Sequence, residues 1–354
     1  MFAYIQTYFI ILLSNFIRLK FSKKAISFFT FIVMLYFIIF IGLRHQVGGD
    51  WKAYLSHYEN LEFNGILFNL LSWDPGYVLL EYISKISNFG IYGVNVLCAI
   101  LFLYGFLYFL KSFKIPISFA LLIAFPYLIM VVVNGYSRQG VAIGFTMAMI
   151  GGFYSQKLLK SIVFFILAIM FHKTAIVTGI IYLFQKRISF KRKFFLYIVF
   201  ILIAALAYLI FQKQFEVFLT YYFLNAMQSS GGLIRIMTNV LASTLLFIFA
   251  KRYKKYFDDF ILWKWIGLLS IFILFFTLLT NATTIGDRIL LYFYPLQIVV
   301  FYRILLLIRD KNLKYLYFFG IITLYLSMLV IWLNFAAHRF AWIPYDNLLF
   351  RILE

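Results

Sequence analysis

Long, unbroken apolar segments constrain the fold of this chain more than any other feature. A helix rises about 1.5 Å per residue, so about 20 apolar residues cross the hydrocarbon core of a membrane. The segments do not alternate between apolar and polar residues, which argues against a β-barrel. We therefore predict an all-α, polytopic integral membrane protein with about 11–12 transmembrane helices. The candidate spans are roughly 2–17, 25–43, 91–110, 115–133, 139–154, 161–171, 173–184, 194–211, 235–250, 261–280, 289–308 and 315–335.

The composition indicates the same class of protein. Hydrophobic residues make up 65% of the 354 residues and charged residues only 12%. A soluble domain cannot bury so much apolar surface, whereas a bilayer can. We expect residues 1–354 to form a single transmembrane domain, whose first segment lacks the features of a cleavable signal peptide. The short segments 161–171 and 173–184 flank His172 and form either two spans or one long helix.

Basic residues are concentrated in every second link between spans. Those links, counted together with Lys264 and Arg303, hold 22 of the 32 Lys and Arg but only 3 of the 12 Asp and Glu. Cytoplasmic loops of membrane proteins carry such an excess of basic residues. The net charge of +20 therefore reflects topology, and we predict no nucleic-acid partner. The opposite links are predicted to face outward from the cytoplasmic membrane, and both termini do so if the segments around His172 are two spans.

The longest hydrophilic link, 44–90, lies on the predicted outer face. Asp74-Pro-Gly-Tyr77 is typical of a turn, because proline fixes φ and glycine permits positive φ. From Tyr77 to Phe89 the apolar residues recur at helical spacing. We therefore predict an amphipathic helix that lies on the membrane surface within this loop.

Arginines recur at span ends on the same face. A guanidinium near hydrocarbon is costly, by about 2.5–3.5 kcal/mol at a helix centre, and its planar fork matches phosphate oxygens. Each arginine therefore either snorkels or pairs with a carboxylate, or it binds an anionic, lipid-linked substrate. The five arginines are Arg44, Arg138, Arg235, Arg288 and Arg339.

Two polar stretches accompany the first two arginines. Asp50 and Tyr54 follow the first within a few residues and belong to a polar cluster at a span end. Arg138 and Gln139 are expected in the first turn of a helix that Ser137 caps. Exposed N–H groups at such a helix start favour an anion, whereas an arginine there opposes the helix dipole and is expected to serve another purpose.

Further candidates lie towards the C-terminus. Asp287 is expected at a helix start, with Arg288 either as its ion-pair partner or directed at a ligand, and with Tyr292 one turn further on. His172 interrupts an apolar stretch and is either a general base or a hydrogen-bonded boundary residue. The tail around Tyr345 holds the Trp and Tyr residues typical of an interfacial belt.

The sequence predicts neither a metal ion nor a cofactor. No histidine has a second histidine or carboxylate at ligand spacing, and the single cysteine, Cys98, lies in an apolar run. The chain also lacks a P-loop, a GxGxxG turn, an Asp-x-Asp pair and an HExxH helix. A donor sugar that is activated by its own lipid diphosphate needs none of these motifs.

Five short motifs, in order, resemble the EpsG family, which is grouped with Wzy-type O-antigen and capsule polymerases. The resemblance covers nearly the whole chain. It departs from the family where Gly-Gly-Asp replaces the usual Gly-Thr-Asp. The motifs are Arg44 with Gly48-Gly49-Asp50-Trp51 and Tyr54, Ser137-Arg-Gln-Gly140, His172-Lys-Thr-Ala175, Asp287-Arg-Ile-Leu-Leu-Tyr292 and Pro344-Tyr345.

The resemblance implies a metal-independent, integral-membrane glycosyltransferase of broadly GT-C type. Such enzymes join oligosaccharide repeat units carried on undecaprenyl diphosphate, at the outer face of the bacterial cytoplasmic membrane. The growing chain passes from its lipid diphosphate to the non-reducing end of an incoming unit. The expected partners are these lipid-linked oligosaccharides, membrane lipids and a possible chain-length regulator.

These considerations predict a role for each candidate residue. The acceptor hydroxyl needs a base, for which Asp50 is the first choice, followed by Asp287 and His172. The arginines would bind the donor diphosphate and stabilise the leaving group. The predicted substrate-binding residues are Arg44, Tyr54, Arg138, Gln139, Arg235, Arg288, Tyr292 and Tyr345.

Other functional classes remain open from the sequence. A flippase or exporter of lipid-linked sugars would also have an arginine-lined cavity, but it should scatter charges through mid-membrane helices. A ligase or acyltransferase would share an outward-facing site but use another acceptor. A purely structural subunit has little need for arginine and aspartate paired twice at outer span ends.

Overall fold

The computed structural model describes residues 1–17, 23–184, 229 and 231–353, together with isolated positions between 194 and 212. Most of these residues are helical, and no β-strand occurs among them. Four helices are long and apolar enough to cross a membrane, and two bent helix pairs raise that number to six. The predicted class, an all-α polytopic membrane protein, is confirmed.

The helices are numbered in chain order, and the described part of the chain contains sixteen α-helices. They are α1 Phe2–Ile17, α2 Lys23–Gly42, α3 Trp51–Glu59, α4 Ile66–Ser72, α5 Pro75–Ile86, α6 Gly90–Phe113, α7 Ile117–Ala124, α8 Ser137–Tyr154, α9 Leu158–Phe171, α10 Gly232–Ile248, α11 Ala250–Tyr256, α12 Phe260–Thr280, α13 Thr283–Tyr292, α14 Pro295–Leu307, α15 Lys311–Phe335 and α16 Leu348–Leu353. A π-helix, Phe125–Val133, continues α7, and a 3-10 helix runs over Lys173–Phe184.

The predicted number of membrane crossings exceeds the four to six that the described helices provide. Several apolar helices, such as α1 and α9, are shorter than a straight crossing of the hydrocarbon core requires. The predicted span 194–211 falls mostly outside the described residues. Eleven to twelve crossings therefore stay a prediction.

Two compact units make up the chain. The first comprises Met1–His172 and Phe319–Glu354, and the second comprises Lys173–Phe318. Helix α9 ends at Phe171, and His172 has extended backbone angles, so the segments on either side of His172 are separate elements and not one long helix. Whether 1–354 behaves as one transmembrane domain is untested.

Helices α6 and α8 form the centre of the first unit and pack closely. A Cβ on Gly105 of α6 would lie 2.1 Å from the backbone oxygen of Gly144 on α8. A Cβ on Gly144 would in turn lie 2.9 Å from Cα of Phe102. Only glycine permits so close a helix contact.

The loop 44–90 folds into three helices, α3, α4 and α5. The amphipathic helix predicted from Tyr77 is present as α5, which packs against α6 and α9. Its predicted apolar face is divided, however, because Val78 is buried while Ile83 and Ile86 are exposed. The buried face also carries a carboxylate, Glu81, which the periodicity of apolar residues did not indicate.

Candidate functional site

The guanidinium of Arg138 lies at the centre of a polar cluster in the first unit. Its Nη1 donates a hydrogen bond to Oδ2 of Asp74 at 2.9 Å. Its Cζ lies 4.6 Å from the ring centroid of Trp73 and 5.5 Å from that of Tyr54. About a quarter of the side chain (26%) remains exposed, so the guanidinium is held firmly while part of it is open to a ligand.

Local backbone geometry places the two members of this ion pair. Asp74 precedes Pro75 at the start of α5, and its side chain makes no capping hydrogen bond there. The carboxylate is instead directed at Arg138, in the first turn of α8. Ser137 does not cap α8 either, contrary to the prediction, because its Oγ accepts a hydrogen bond from Arg44.

Helix α3 brings Asp50 and Tyr54 to the same cluster. Asp50 lies at the N-terminus of α3, and its backbone N–H donates to the carbonyl of Gly135, the loop residue before α8, at 3.3 Å. The Tyr54 hydroxyl donates to Oδ2 of Asp50 at 3.4 Å. Burial raises the pKa of Tyr54, so its phenol stays protonated and acts as a donor at neutral pH. The structure thus brings together three predicted site residues, Asp50, Tyr54 and Arg138.

A histidine and a glutamate that were not among the predicted site residues adjoin this cluster. Nδ1 of His57 lies 2.8 Å from a carboxylate oxygen of Glu81, which is fully buried. The imidazole stacks on Trp73 with 3.7 Å between ring centroids and an interplanar angle of 27°. Burial raises the pKa of Glu81, although its partner His57 opposes that shift. A lone acid within an apolar helical face was the only sequence signal for this pair.

Arg44 is buried and its guanidinium is bonded to protein groups, and its role in substrate binding stays a prediction. Only 1% of the residue is exposed. Its guanidinium donates to the carbonyls of Ile41 and Val47 at 2.7 and 3.2 Å and to Ser137 Oγ at 2.7 Å. It therefore ties the polar stretch 43–54 to the start of α8.

The C-terminal stretch 341–348 also packs against this region of the protein. Its Trp and Tyr residues had suggested an interfacial belt, but they contact other parts of the chain. Trp342 is completely buried and donates from Nε1 to the carbonyl of Met130 at 3.0 Å. The Tyr345 hydroxyl donates to the carbonyl of Phe40 at 2.8 Å, and the two rings stack at 4.6 Å. The hydroxyl and ring of Tyr345 thus contact protein groups, and its substrate-binding role stays a prediction.

The backbone conformation of Gly48 leads to a prediction about the stability of this region. Its φ is +113°, and a Cβ there would lie 2.7 Å from the carbonyl oxygen of Asn134. We expect Gly48→Ala to lower the free energy of unfolding by at least about 1–2 kcal/mol, since alanine strains that backbone. Gly49→Ala is the matched control, because φ is not positive there and the nearest atom, in the Trp342 ring, is 3.3 Å away. Thermal unfolding of the detergent-solubilised variants tests this, and equal stabilities would contradict it.

The second unit has its own ion pair, between Arg235 and Asp287. Nε of Arg235 donates to Oδ1 at 2.8 Å and Nη2 donates to Oδ2 at 2.5 Å. Ser229 Oγ also donates to Oδ2, at 3.2 Å. Asp287 lies in the second turn of α13 and not at its start, and it pairs with Arg235, although the sequence had suggested Arg288. Both oxygens of this carboxylate accept hydrogen bonds from protein groups, and its role as a base stays a prediction.

The remaining predicted residues take no part in either ion pair. They are Tyr292, Gln139, His172 and Arg288. Tyr292 is fully buried, and its hydroxyl lies 2.9 Å from Thr174 Oγ1, so a substrate contact is not supported. Gln139 is 6% exposed, and its Nε2 has no hydrogen-bond partner among the described residues. His172 ends the first unit, and Arg288 is half-buried in the second.

No candidate metal site occurs in the described part of the chain, where no three His, Cys, Asp or Glu side chains lie close enough to hold an ion. The carboxylates in this region pair instead with nitrogen groups, Asp74 with Arg138 and Glu81 with His57. Their arrangement suits the binding of an anion beside a guanidinium and the transfer of a proton.

The EpsG family model matches residues 27–347, nearly the whole chain. The chain belongs to the EpsG family. EpsG proteins are Wzy-like polymerases, so the resemblance seen in the sequence is confirmed. No curated protein and no solved structure matches this EpsG chain. Both ion pairs lie within the matched region.

Proposed function

We propose that this EpsG-family protein is a membrane glycosyltransferase that polymerises oligosaccharide repeat units carried on undecaprenyl diphosphate. The product would be O-antigen or a capsular or exopolysaccharide, made at the outer face of the bacterial cytoplasmic membrane. The observation that carries the proposal is Arg138, whose guanidinium is fixed by Asp74 and Trp73 while its side chain is 26% exposed. A preorganised guanidinium of this kind suits the diphosphate of a lipid-linked donor.

Arg138 would act on the leaving group. When the bond between the donor sugar and the diphosphate breaks, negative charge grows on the diphosphate oxygens. A fixed cation stabilises that charge without reorganising at the moment of reaction. Asp74 takes one of the five N–H donors of Arg138, so others remain for phosphate oxygens.

The second ion pair has a different part in this proposal. Arg235 is held by both oxygens of Asp287, so we propose that the pair mainly stabilises the second unit. Arg288, which is half-buried one residue further along α13, stays a predicted substrate-binding residue. Membrane lipids and a chain-length regulator remain proposed partners.

Asp50 is the acid that the sequence favoured as base. It lies beside Tyr54, and its negative charge acts on Arg138. We expect Asp50→Asn to lower polymer formation at least about tenfold, because it weakens the hydrogen bond from Tyr54 and removes the negative charge beside the guanidinium. The polysaccharide made by a polymerase-null host that expresses the variant provides the measurement. Unchanged polymer length and amount would remove Asp50 from the site.

A deletion strain tests the class of function. If the surface polysaccharide is reduced to a single repeat unit, the protein is a polymerase. If no repeat unit reaches the surface, the protein is a flippase, and an unchanged ladder of chain lengths excludes both. We expect the single repeat unit.

A further inference from the structure

We propose that His57 is the general base of the transfer reaction and that Glu81 holds it in place. The proposal rests on the proposed polymerase function and adds a catalytic residue to it. Nε2 of His57 would accept the proton of the acceptor hydroxyl, while Nδ1 stays hydrogen-bonded to the carboxylate of Glu81. The sequence had favoured Asp50, Asp287 and His172 for this role.

The geometry gives the two ring nitrogens of His57 different surroundings. Nδ1 lies 2.8 Å from Glu81, whose side chain is fully buried, so this nitrogen is directed inward. Nε2 has no hydrogen-bond partner among the described residues and is not enclosed by protein atoms. The side chain is 13% exposed, so Nε2 is the nitrogen that a ligand can reach. A carboxylate on one nitrogen and an open second nitrogen is the arrangement of a histidine base.

Trp73 links this pair to the guanidinium that is proposed to bind the diphosphate. The imidazole of His57 stacks on the indole at 3.7 Å, and Cζ of Arg138 lies 4.6 Å from the same residue's ring. The proposed base, His57, and the proposed phosphate-binding residue, Arg138, are therefore both held against the rigid side chain of Trp73. This spacing suits a reaction in which a hydroxyl is deprotonated close to a departing diphosphate.

The histidine is chemically better suited to the task than Asp50. An imidazole can accept a proton at one ring nitrogen while the other stays hydrogen-bonded to a carboxylate. The buried carboxylate of Glu81 stabilises the imidazolium that forms when Nε2 takes the proton. Asp50, whose oxygen accepts the Tyr54 hydroxyl, would then orient Tyr54 and Arg138.

The proposed step is balanced in atoms and charge. The acceptor oxygen forms a bond to the anomeric carbon of the donor sugar, and the bond from that carbon to the diphosphate oxygen breaks. The electron pair leaves with undecaprenyl diphosphate, whose charge Arg138 stabilises. The hydroxyl proton passes to Nε2 of His57 and from there to solvent.

The pH dependence follows from the surroundings of Glu81. Because burial raises the pKa of Glu81, its carboxylate becomes protonated at a higher pH than an ordinary glutamate as the solution is acidified. The pair of His57 and Glu81 then loses its negative charge, and kcat/KM should fall as the pH is lowered. The titratable and charged groups that influence the Glu81 and His57 pair are Lys85 and Tyr77 on α5, Arg138 on α8 and Cys98 on α6.

The test uses the purified full-length protein in proteoliposomes with a synthetic undecaprenyl-diphosphate repeat unit. We expect His57→Gln to lower kcat by about 10²–10⁴-fold, with a much smaller change in KM, and to remove the acid limb of the pH profile. Glu81→Gln should lower kcat by about 10–100-fold, because the histidine loses its orienting anion. The matched control is His338→Gln, which replaces an exposed histidine and should stay close to the wild type.

Chemical rescue distinguishes a base from a structural residue. We expect added imidazole to restore the activity of His57→Ala in a concentration-dependent way, whereas a packing role would not respond. Wild-type polymerisation together with a His57→Gln kcat within about threefold of the wild type at every pH would overturn the inference but leave the polymerase function intact. If the wild-type protein forms no polymer under these conditions, the proposed function itself fails.

Discussion

Replacing Arg138 with alanine is expected to lower polymer formation by about 10²–10³-fold, because the leaving diphosphate loses its fixed cation. The Arg138→Lys variant keeps the charge but loses the planar fork, so we expect an intermediate loss. The measurement is the initial rate of undecaprenyl diphosphate release in proteoliposomes, per amount of folded protein. A rate within about threefold of the wild type for Arg138→Ala would contradict the proposed role.

Two further variants separate chemistry from stability in this experiment. Arg138→Ala also leaves the buried carboxylate of Asp74 without its partner, which is destabilising. The double variant Arg138→Gln, Asp74→Asn removes both charges, so we expect it to regain stability but not activity. The control for charge alone is Arg351→Ala, since Arg351 is 52% exposed and pairs with Asp346 at the surface. Such a pair contributes only about 0–1 kcal/mol.

Replacing Asp287 with alanine is expected to cost about 3–5 kcal/mol of stability, because the nearly buried guanidinium of Arg235 loses its partner. The double variant Arg235→Met, Asp287→Leu should recover most of that loss, since it buries apolar groups of similar size and leaves no lone charge. Thermal unfolding in detergent measures both effects.

The comparison of single and double variants decides what the second ion pair does. If it is a structural pair, the double variant is more stable than either single variant. If Asp287→Ala is as stable as the wild type, the carboxylate is not needed for the fold, and the predicted catalytic role for Asp287 is favoured. The double-variant design isolates the interaction from the effects of each side chain alone.

The class of fold was predictable from the sequence because it follows from the length and continuity of apolar segments. The same reasoning located α5, since a spacing of three and four residues needs only a helix. It did not reveal which face of α5 is buried. Glu81 lies on that face because His57 pairs with it there, a contact between residues 24 positions apart that no local pattern records.

The candidate site was predictable in part. Asp50, Tyr54 and Arg138 were singled out as polar residues at span ends, and the structure brings them together. Arg44 and Tyr345 were singled out for the same reason, yet both are bound within the protein. A polar residue at a span end either faces a ligand or joins two segments of chain, and these outcomes differ only in tertiary packing.

Which carboxylate pairs with which guanidinium was the least predictable feature of the site. The only ion-pair partner that the sequence suggested for Asp287 was its neighbour Arg288, which could equally be directed at a ligand. Arg235, 52 residues away, takes it instead, since it can reach both carboxylate oxygens. Asp74, the partner of Arg138, was interpreted only as part of a turn.

Reconstitution with a single purified substrate is the most direct test of the account. The full-length protein in proteoliposomes would be given only one undecaprenyl-diphosphate-linked repeat unit. The account predicts a ladder of products that each contain one more repeat unit, with one undecaprenyl diphosphate released for every unit added. Recovery of the unchanged single unit, or its movement across the bilayer without any chain growth, would contradict a polymerase.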